Sequence, residues 1–206
     1  MTIESWLLFI AVAVLPAISP GPGILLTVSN SLRYGARATI YSAAGNSIGL
    51  TVMGFAVGFG LAAILAVSTL AFTIVKLVGA AYLVYLGIKL WRDGKALSLP
   101  DGAASPVSRF RLFRQALFVS LTNPKALVLI AALIPPFVDP LGPVLPQVTI
   151  LSVTYAVMCF ANHLLLAFAG GRIRRFLASE RRMIAVRRVL GALFIGFGAA
   201  LATASR

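Results

Sequence analysis

Long apolar segments, separated by short polar links, dominate this chain. A helix of about 20 apolar residues crosses the hydrocarbon core of a bilayer, and these segments lack the alternation typical of a barrel strand. Only 11% of the 206 residues are charged, whereas soluble domains carry about 25%. The sequence therefore predicts an all-α integral membrane protein with six transmembrane helices and no separate soluble domain.

The six predicted spans divide the chain into two halves of three. They lie at about residues 4–31, 39–66, 70–91, 112–135, 147–169 and 189–204. Together they form one transmembrane domain, in which a cytoplasmic linker (about 92–111) joins repeat one (about 4–91) to repeat two (about 112–204). The first residues carry Glu4 and no lysine or arginine, unlike a cleaved signal peptide. We therefore expect the first apolar segment to remain as the first span.

Lysine and arginine are distributed unevenly among the links. The links after spans one, three and five hold two, six and seven of them, taking 89–114 for the middle link, whereas the other links hold almost none. Because basic residues accumulate on the cytoplasmic side, both termini are predicted to face outward and repeat two to lie inverted relative to repeat one. The same distribution explains the net charge of +13, so we expect a lipid bilayer and no nucleic acid as partner.

Two of the spans contain sequences that interrupt a helix. Their residues are Ser19, Pro20, Gly21, Pro22 and Gly23 in the first span, and Asn123, Pro124 and Lys125 in the fourth. Proline removes a backbone donor, and glycine adds conformational freedom. A polar residue followed by proline is typical of a helix start. We therefore predict that helices 1 and 4 are broken near mid-membrane, with new helices starting at Ser19-Pro20 and at Asn123-Pro124.

The two breaks predict a binding site for an anion. Irregular backbone at membrane depth is tolerated only against protein or a water-filled cavity, and a helix N-terminus offers free N–H groups with a partial positive charge. In inverted halves the two new N-termini point toward each other, as in secondary transporters with paired broken helices. Lys125 adds a full charge, which is costly at this depth and usually functional. The alternative is that the prolines only kink two helices and Lys125 bonds to backbone carbonyls.

Four segments, in order, resemble the signatures of the LysE/RhtB amino-acid exporters. They are Ser19 to Pro22 with Gly35 to Leu50, the third-span run Lys76 to Gly87, the fourth-span sequences Asn123 to Ala126 and Pro135 to Pro140, and Arg188 to Leu193 at the start of the last span. The resemblance covers nearly the whole chain. It implies export of amino acids or close relatives across a bacterial inner membrane, driven by an ion gradient. Gly23 stands where the family commonly has Asn and Pro136 where it commonly has Gln, and both departures bear on substrate identity.

For an amino-acid substrate, the breaks divide the binding roles. We predict that the carboxylate lies on the N–H groups at Gly21 to Gly23 and at Lys125 to Leu127. The ammonium would face carbonyls freed before the breaks, with help from the side-chain oxygen of Asn46 or Asn123. No acidic residue lies at mid-span, so we expect neutral or small amino acids rather than lysine or arginine.

Proton coupling has two candidates in the sequence. His163, the only histidine, lies in the fifth predicted span, and an imidazole can titrate near neutral pH. A lone intramembrane histidine is equally compatible with a hydrogen-bonded packing role. Lys125 is the other candidate. We predict no cofactor and no metal site.

Other functions remain open. A membrane enzyme is disfavoured because the chain has one histidine, one cysteine and no paired intramembrane carboxylates. The resemblance also implies a divalent metal-ion exporter as an alternative, with His163, Cys159 and Met158 as the available ligands. A non-transporting assembly subunit is a third hypothesis.

Small residues line a face of two spans, namely Gly45, Gly49, Gly54 and Gly58 in span two and Ala192, Gly196 and Ala200 in span six. These faces could serve within the monomer or in a homodimer.

Overall fold

The computed structural model describes residues 1–67, 69–92, 107–139, 141–169 and 179–203, and all regular elements in these ranges are helical. In chain order they are α1 (Ile3–Ile18), α2 (Pro22–Tyr34), α3 (Ala36–Val67), α4 (Thr69–Arg92), α5 (Arg109–Leu121), α6 (Pro124–Leu133), a 3-10 turn (Pro135–Phe137), α7 (Val144–Phe168) and α8 (Glu180–Thr203).

Several of these helices can cross a membrane by length and composition. Within the described residues, α3, α7 and α8 do so alone, and counting each bent pair, α1 with α2 and α5 with α6, as one span gives five. In α4 the apolar stretch Ala80–Lys89 is shorter than a full span, and many side chains of its first half lie outside the described part of the chain. The all-helical, multi-pass character is confirmed, whereas the sixth span and the inverted repeats stay predictions.

The helices extend beyond the predicted spans. The clearest case is α8, which begins at Glu180 although the apolar pattern predicts a span only from about residue 189. Apolar runs mark the part of a helix that lies in lipid, and arginine and glutamate continue a helix readily beyond it. The predicted linker at 92–111 is described only at its ends, and residues 170–178 of the basic link at 171–188 lie outside the described residues.

The first break separates α1 from α2 by a bend of 60°. The predicted start at Ser19-Pro20 is wrong. Ser19 ends α1 in an extended conformation, and α2 starts with Pro22 as its first residue and Gly21 as its N-cap. Of the two available prolines, the chain starts α2 at the later one. A proline at the first helical position loses no intrahelical hydrogen bond, a rule that either proline satisfies. Gly21 provides no side chain to cap the helix.

The second break, with a bend of 62° between α5 and α6, has the predicted local structure. Asn123 is the N-cap of α6, and its side-chain oxygen accepts a hydrogen bond from the Lys125 N–H at 3.1 Å. Pro124 is the first helical residue. The sequence Asn-Pro-Lys therefore ends one helix and starts the next, and it holds Lys125 in the first turn of α6.

The small-residue face of α3 packs within the monomer. Gly45 and Gly49 face α5, whereas Gly54 and Gly58 face α7. A Cβ at Gly45 would collide with the backbone of Phe113, so this close approach of α3 and α5 requires glycine. The face accounts for helix packing and needs no dimer to explain it.

The predicted small-residue face of span six has a different environment. Ala192, Gly196 and Ala200 are exposed, and a Cβ at Gly196 would meet no atom of the described residues within 4 Å. Instead, α8 packs closely on α4 through Gly191 and Gly198. The homodimer stays a prediction.

A buried apolar cluster supports both breaks from one side. It combines residues of α1 (Phe9, Ala13, Ala17), α6 (Ala126, Ile130, Leu133) and α7 (Leu151, Tyr155, Cys159). The end of α1 and the beginning of α6 therefore share one core, and α7 packs against both. This arrangement brings the two breaks into the same part of the molecule although about half the chain separates them.

Candidate functional site

Lys125 connects the two breaks. Its Nζ donates to the Ser19 hydroxyl at 2.7 Å and to the Pro20 carbonyl at 2.9 Å. Ser19 is buried, and Lys125 Nζ also lies 3.4 Å from where a Cβ of Gly21 would stand. The first turn of α6 therefore lies directly against the unwound segment between α1 and α2.

The charge of Lys125 is balanced by dipoles. Both hydrogen-bond acceptors are neutral, and they lie just beyond the C-terminus of α1, where the helix dipole is negative. Among the described residues, no carboxylate forms an ion pair with this ammonium. An ammonium has three N–H donors, and two of them are used here. The third is available for an anion.

A cavity of about 50 Å³ lies beside this bridge. The predicted site residues that line it are Ser19, Gly21, Gly23, Asn46, Asn123, Lys125 and His163. Pro20 contributes its carbonyl to Lys125, while Pro22 and Pro124 begin α2 and α6. The structure thus brings together residues from both breaks with Asn46 of α3 and His163 of α7.

The two helix N-termini are not equivalent as donors. At α6, the Lys125 N–H bonds to the Asn123 side chain, and the Leu127 N–H bonds to the Asn123 carbonyl at 3.1 Å. This leaves Ala126 N–H as the donor without a bond among the described residues. At α2, Pro22 has no N–H, and the uncapped N–H groups are those of Gly23 and Ile24. Of the N–H groups predicted from the sequence to bind the carboxylate, those of Lys125 and Leu127 are already bonded and Pro22 has none. The Ile24 N–H is a donor that the sequence did not predict.

The carbonyl groups freed at the end of α1 are partly used by side chains. Asn162 Nδ2 donates to the Ala17 carbonyl at 2.9 Å, and Lys125 takes the Pro20 carbonyl. Two of the carbonyls expected to face a substrate ammonium are thus already bonded. Sequence reasoning missed Asn162. Its only signal is a second polar residue beside His163 in an apolar helix.

Helix α7 holds both parts of the first broken span. Trp6 Nε1 of α1 donates to Thr154 Oγ1 at 3.1 Å, and Ser31 Oγ of α2 donates to the Ala167 carbonyl at 2.6 Å. With the Asn162 bond to Ala17, these contacts tie α7 to the start and end of α1 and to α2. His163 therefore lies on a helix, α7, that is hydrogen-bonded to both α1 and α2, the two helices of the first break.

Two buried polar side chains in the cavity form no hydrogen bond with the part of the chain that the structure describes. Asn46 is 7% exposed and His163 is 3% exposed. His163 Nδ1 has no hydrogen-bond partner, and the Asn46 amide makes none among the described residues. Cys159 and Tyr155 line the same cavity one and two turns before His163. Sequence reasoning missed Tyr155, which has the pattern of an ordinary core residue, and considered Cys159 only as a ligand of the alternative metal-ion exporter.

The described residues contain no group of three or more histidine, cysteine, aspartate or glutamate side chains that could hold a metal ion. The cavity combines one ammonium, helix N-termini, hydroxyl groups, amides and an imidazole. These groups suit a small molecule that carries a carboxylate and further polar groups.

The fold and the cavity define a multi-pass helical membrane protein with two broken helices around a polar cavity, which is a construction known from secondary transporters. Comparison with known proteins identifies the family. A sequence model of LysE type translocators matches residues 14–205. The chain therefore belongs to the LysE type translocator family, and the resemblance of its motifs is confirmed.

Named relatives are similar over nearly their whole length. A homoserine/homoserine lactone efflux protein of Salmonella typhimurium is 40% identical over 204 residues, which cover 99% of this chain and 98% of the relative. A leucine efflux protein of Salmonella choleraesuis is 30% identical over 201 residues, covering 93% and 91%. An uncharacterized membrane protein of Vibrio cholerae is 38% identical over 208 residues, covering 99% of each. No solved structure matches the chain significantly.

Proposed function

We propose that this protein exports a small neutral amino acid, or a close derivative, from the bacterial cytoplasm. The observation that carries the proposal is the bridge from Lys125 in α6 to Ser19 and Pro20 in the first break. It supports a site in which both broken helices act on one ligand. The efflux of homoserine, its lactone and leucine in the names of the relatives supports the choice of neutral amino acids.

The substrate carboxylate binds between the two helix tips. The Lys125 ammonium offers its third donor, and the uncapped N–H groups of Gly23, Ile24 and Ala126 complete the set. A carboxylate here neutralises a charge that, among the described residues, only dipoles balance. Charge-assisted hydrogen bonds of this kind are about twice as strong as neutral ones.

The substrate ammonium binds to the remaining acceptors of the first break. Because Asn162 and Lys125 occupy the Ala17 and Pro20 carbonyls, we assign the ammonium to the Ser19 carbonyl, one of the acceptors left at this break. It lies 3.9 Å from where a Gly21 Cβ would stand, on the side of the break that faces Lys125. A zwitterion thus spans the first break. Its ammonium group lies at the C-terminal end of α1, and its carboxylate lies at the N-terminal end of α2.

Transport requires the cavity to open. Its volume of about 50 Å³ is well below the ~300–1,000 Å³ of typical ligand sites. A carboxylate bound to the third N–H draws the Lys125 ammonium away from the Pro20 carbonyl, so binding loosens the bridge that holds the two breaks together. Alternating access then moves the two halves around this point.

The proposed membrane arrangement is six spans in two inverted repeats, with both termini outside the cytoplasm of the inner membrane. Each half begins with a bent helix pair and continues with two long helices. Helices in corresponding positions, α3 with α7 and α4 with α8, pack against each other. The distribution of basic residues among the links supports the orientation. His163 and Lys125 are the proposed groups for coupling to a proton gradient.

The experiment is counterflow in proteoliposomes that contain this protein alone. Labelled amino acids, including homoserine, leucine and lysine, are offered to vesicles loaded with the unlabelled compound. We expect accumulation of the neutral amino acids, loss of accumulation in Lys125→Ala, and little change in Lys89→Ala, whose lysine is exposed at the end of α4. Absence of counterflow for all amino acids with well-folded protein would overturn the proposal, and transport by protein alone would exclude an assembly subunit.

A further inference from the structure

The end of the cavity away from Lys125 contains two polar side chains whose role the carboxylate site does not explain. Asn46 and His163 are both more than nine-tenths buried, and neither side chain has a hydrogen-bond partner among the described residues. Buried polar groups in native proteins are nearly always hydrogen-bonded, because an unpaired one carries its full desolvation cost. This cost falls on His163 Nδ1, which is fully buried without a partner. A ligand group that bonds to the imidazole and to the Asn46 amide would pair both side chains.

The two side chains converge on Gly23. A Cβ on Gly23 would lie 2.9 Å from Asn46 Oδ1 and 3.6 Å from His163 Cε1. The amide and the imidazole, from α3 and α7, therefore meet at the first turn of α2, in the space that a larger residue at position 23 would occupy. Glycine keeps this space open.

The two ends of the cavity are distinct. Gly21 faces the Lys125 ammonium, whereas Gly23 faces Asn46 and His163. A zwitterion bound at the first end would extend its side chain toward the second, along the short distance from Gly21, the N-cap of α2, to Gly23 in its first turn. The α-amino and α-carboxylate groups are thus bound at one end, and the side chain is bound at the other.

The chemistry of the second end selects a particular kind of side chain. An amide offers an acceptor and two donors, and a neutral imidazole offers one of each. Together they can pair a hydroxyl, which donates one bond and accepts others, or a carbonyl, which only accepts. An apolar side chain would leave both groups unpaired, and sites built to bond a hydroxyl reject analogues that lack it.

We infer that Asn46 and His163, with Gly23 between them, form a side-chain subsite that selects amino acids with a short, neutral, oxygen-bearing side chain over apolar ones of the same size. This inference rests on the proposed function and specifies its substrate class. It assigns both residues to substrate selection, which the α-carboxylate site does not require.

The test compares two probes of equal size in proteoliposome counterflow. L-Homoserine carries a side-chain hydroxyl, and L-norvaline carries a methyl group in the same position. We expect the wild-type protein to have a KM for homoserine at least about tenfold lower than for norvaline. Asn46→Ala and His163→Ala should each reduce this preference about fivefold, the usual effect of one hydrogen bond. His163→Gln, which keeps a donor and an acceptor, should restore part of it.

A third variant changes the space between the two side chains directly. Gly23→Ala adds one methyl group at the first turn of a helix and displaces Asn46 Oδ1, so it should also reduce the preference for homoserine. Gly60→Ala is the matched control, because a Cβ there meets no described atom within 4 Å, and it should leave the KM ratio unchanged.

The outcomes separate this inference from the proposed function. Equal KM values for homoserine and norvaline in the wild type, or an unchanged ratio in the Asn46, His163 and Gly23 variants, would overturn the subsite while amino-acid transport stands. Loss of both probes together in Lys125→Ala supports the carboxylate site and leaves the ratio as the measure of the subsite. No transport of either probe by the wild type would overturn the proposed function and the subsite with it.

Discussion

The two helix breaks are built differently, and the difference indicates what each contributes. At the second break, the Asn123 side chain caps α6 by accepting from the Lys125 N–H, a bond that α2 lacks, and the tip presents a side-chain charge, Lys125. At the first break, the carbonyl end of α1 is bonded by Asn162 and Lys125, while the N–H end of α2 starts at Gly21 without a side-chain cap. The second break supplies the charge of Lys125, and the first break supplies backbone N–H groups that no side chain caps.

The largest expected effect comes from removing the charge of the second break. Lys125→Met keeps the length of the side chain but leaves Ser19 and Pro20 without their donor. We expect counterflow to fall by about 100-fold or more, since a charge-assisted contact to the substrate and the bridge are both lost. Lys89→Met is the matched control. Retention of transport in Lys125→Met, with normal elution as a folded protein in detergent, would show that the charge has no role.

The next effect concerns the carbonyl end of the first break. Asn162→Ala removes the donor to the Ala17 carbonyl and leaves a carbonyl at the end of α1 unpaired. We expect a loss of about 1–2 kcal/mol in stability, measured as a lower apparent melting temperature in detergent, together with weaker transport. Thr203→Ala, at an exposed hydroxyl near the end of α8, serves as control. An unchanged melting temperature would mean that α7 does not stabilise this break.

A smaller effect is expected at the cap of the second break. Asn123→Ala removes the oxygen that accepts from the Lys125 N–H, at a cost of about 1 kcal/mol. Asn123→Asp and Asn123→Ser keep an acceptor and should retain most of the stability. If alanine is tolerated as well as aspartate in thermal unfolding, the cap does not hold Lys125 in place.

The smallest effect is expected when the first break is made more like the second. Gly21→Ser adds a capping hydroxyl to α2, and a Cβ fits there, at 3.4 Å from Lys125 Nζ. The gain in stability should be only a few tenths of a kcal/mol. The hydroxyl would compete with the substrate carboxylate for the uncapped N–H groups, so the KM should rise while stability does not fall. A KM that stays constant would argue against backbone donors at this tip.

Local chemistry decided which features could be predicted from the sequence. Asn123-Pro124 has one possible helix start, and the structure has it there. Residues 19–23 offer two prolines, and the capping rule alone could not choose Pro22 over Pro20. The start of α8 before the predicted span could not be predicted, because hydropathy indicates which residues contact lipid and not how far a helix extends. The convergence of Gly23, Asn46 and His163 depends on the packing of three helices, which no local pattern contains.

The most direct test of the account is an experimental structure of the protein with homoserine bound. We predict the substrate carboxylate within about 3 Å of Lys125 Nζ and of the Gly23 N–H, with the bond from Lys125 to the Pro20 carbonyl broken or lengthened beyond 2.9 Å. A substrate bound outside this cavity, or Lys125 still bonded to Ser19 and Pro20 without contact to the carboxylate, would contradict it.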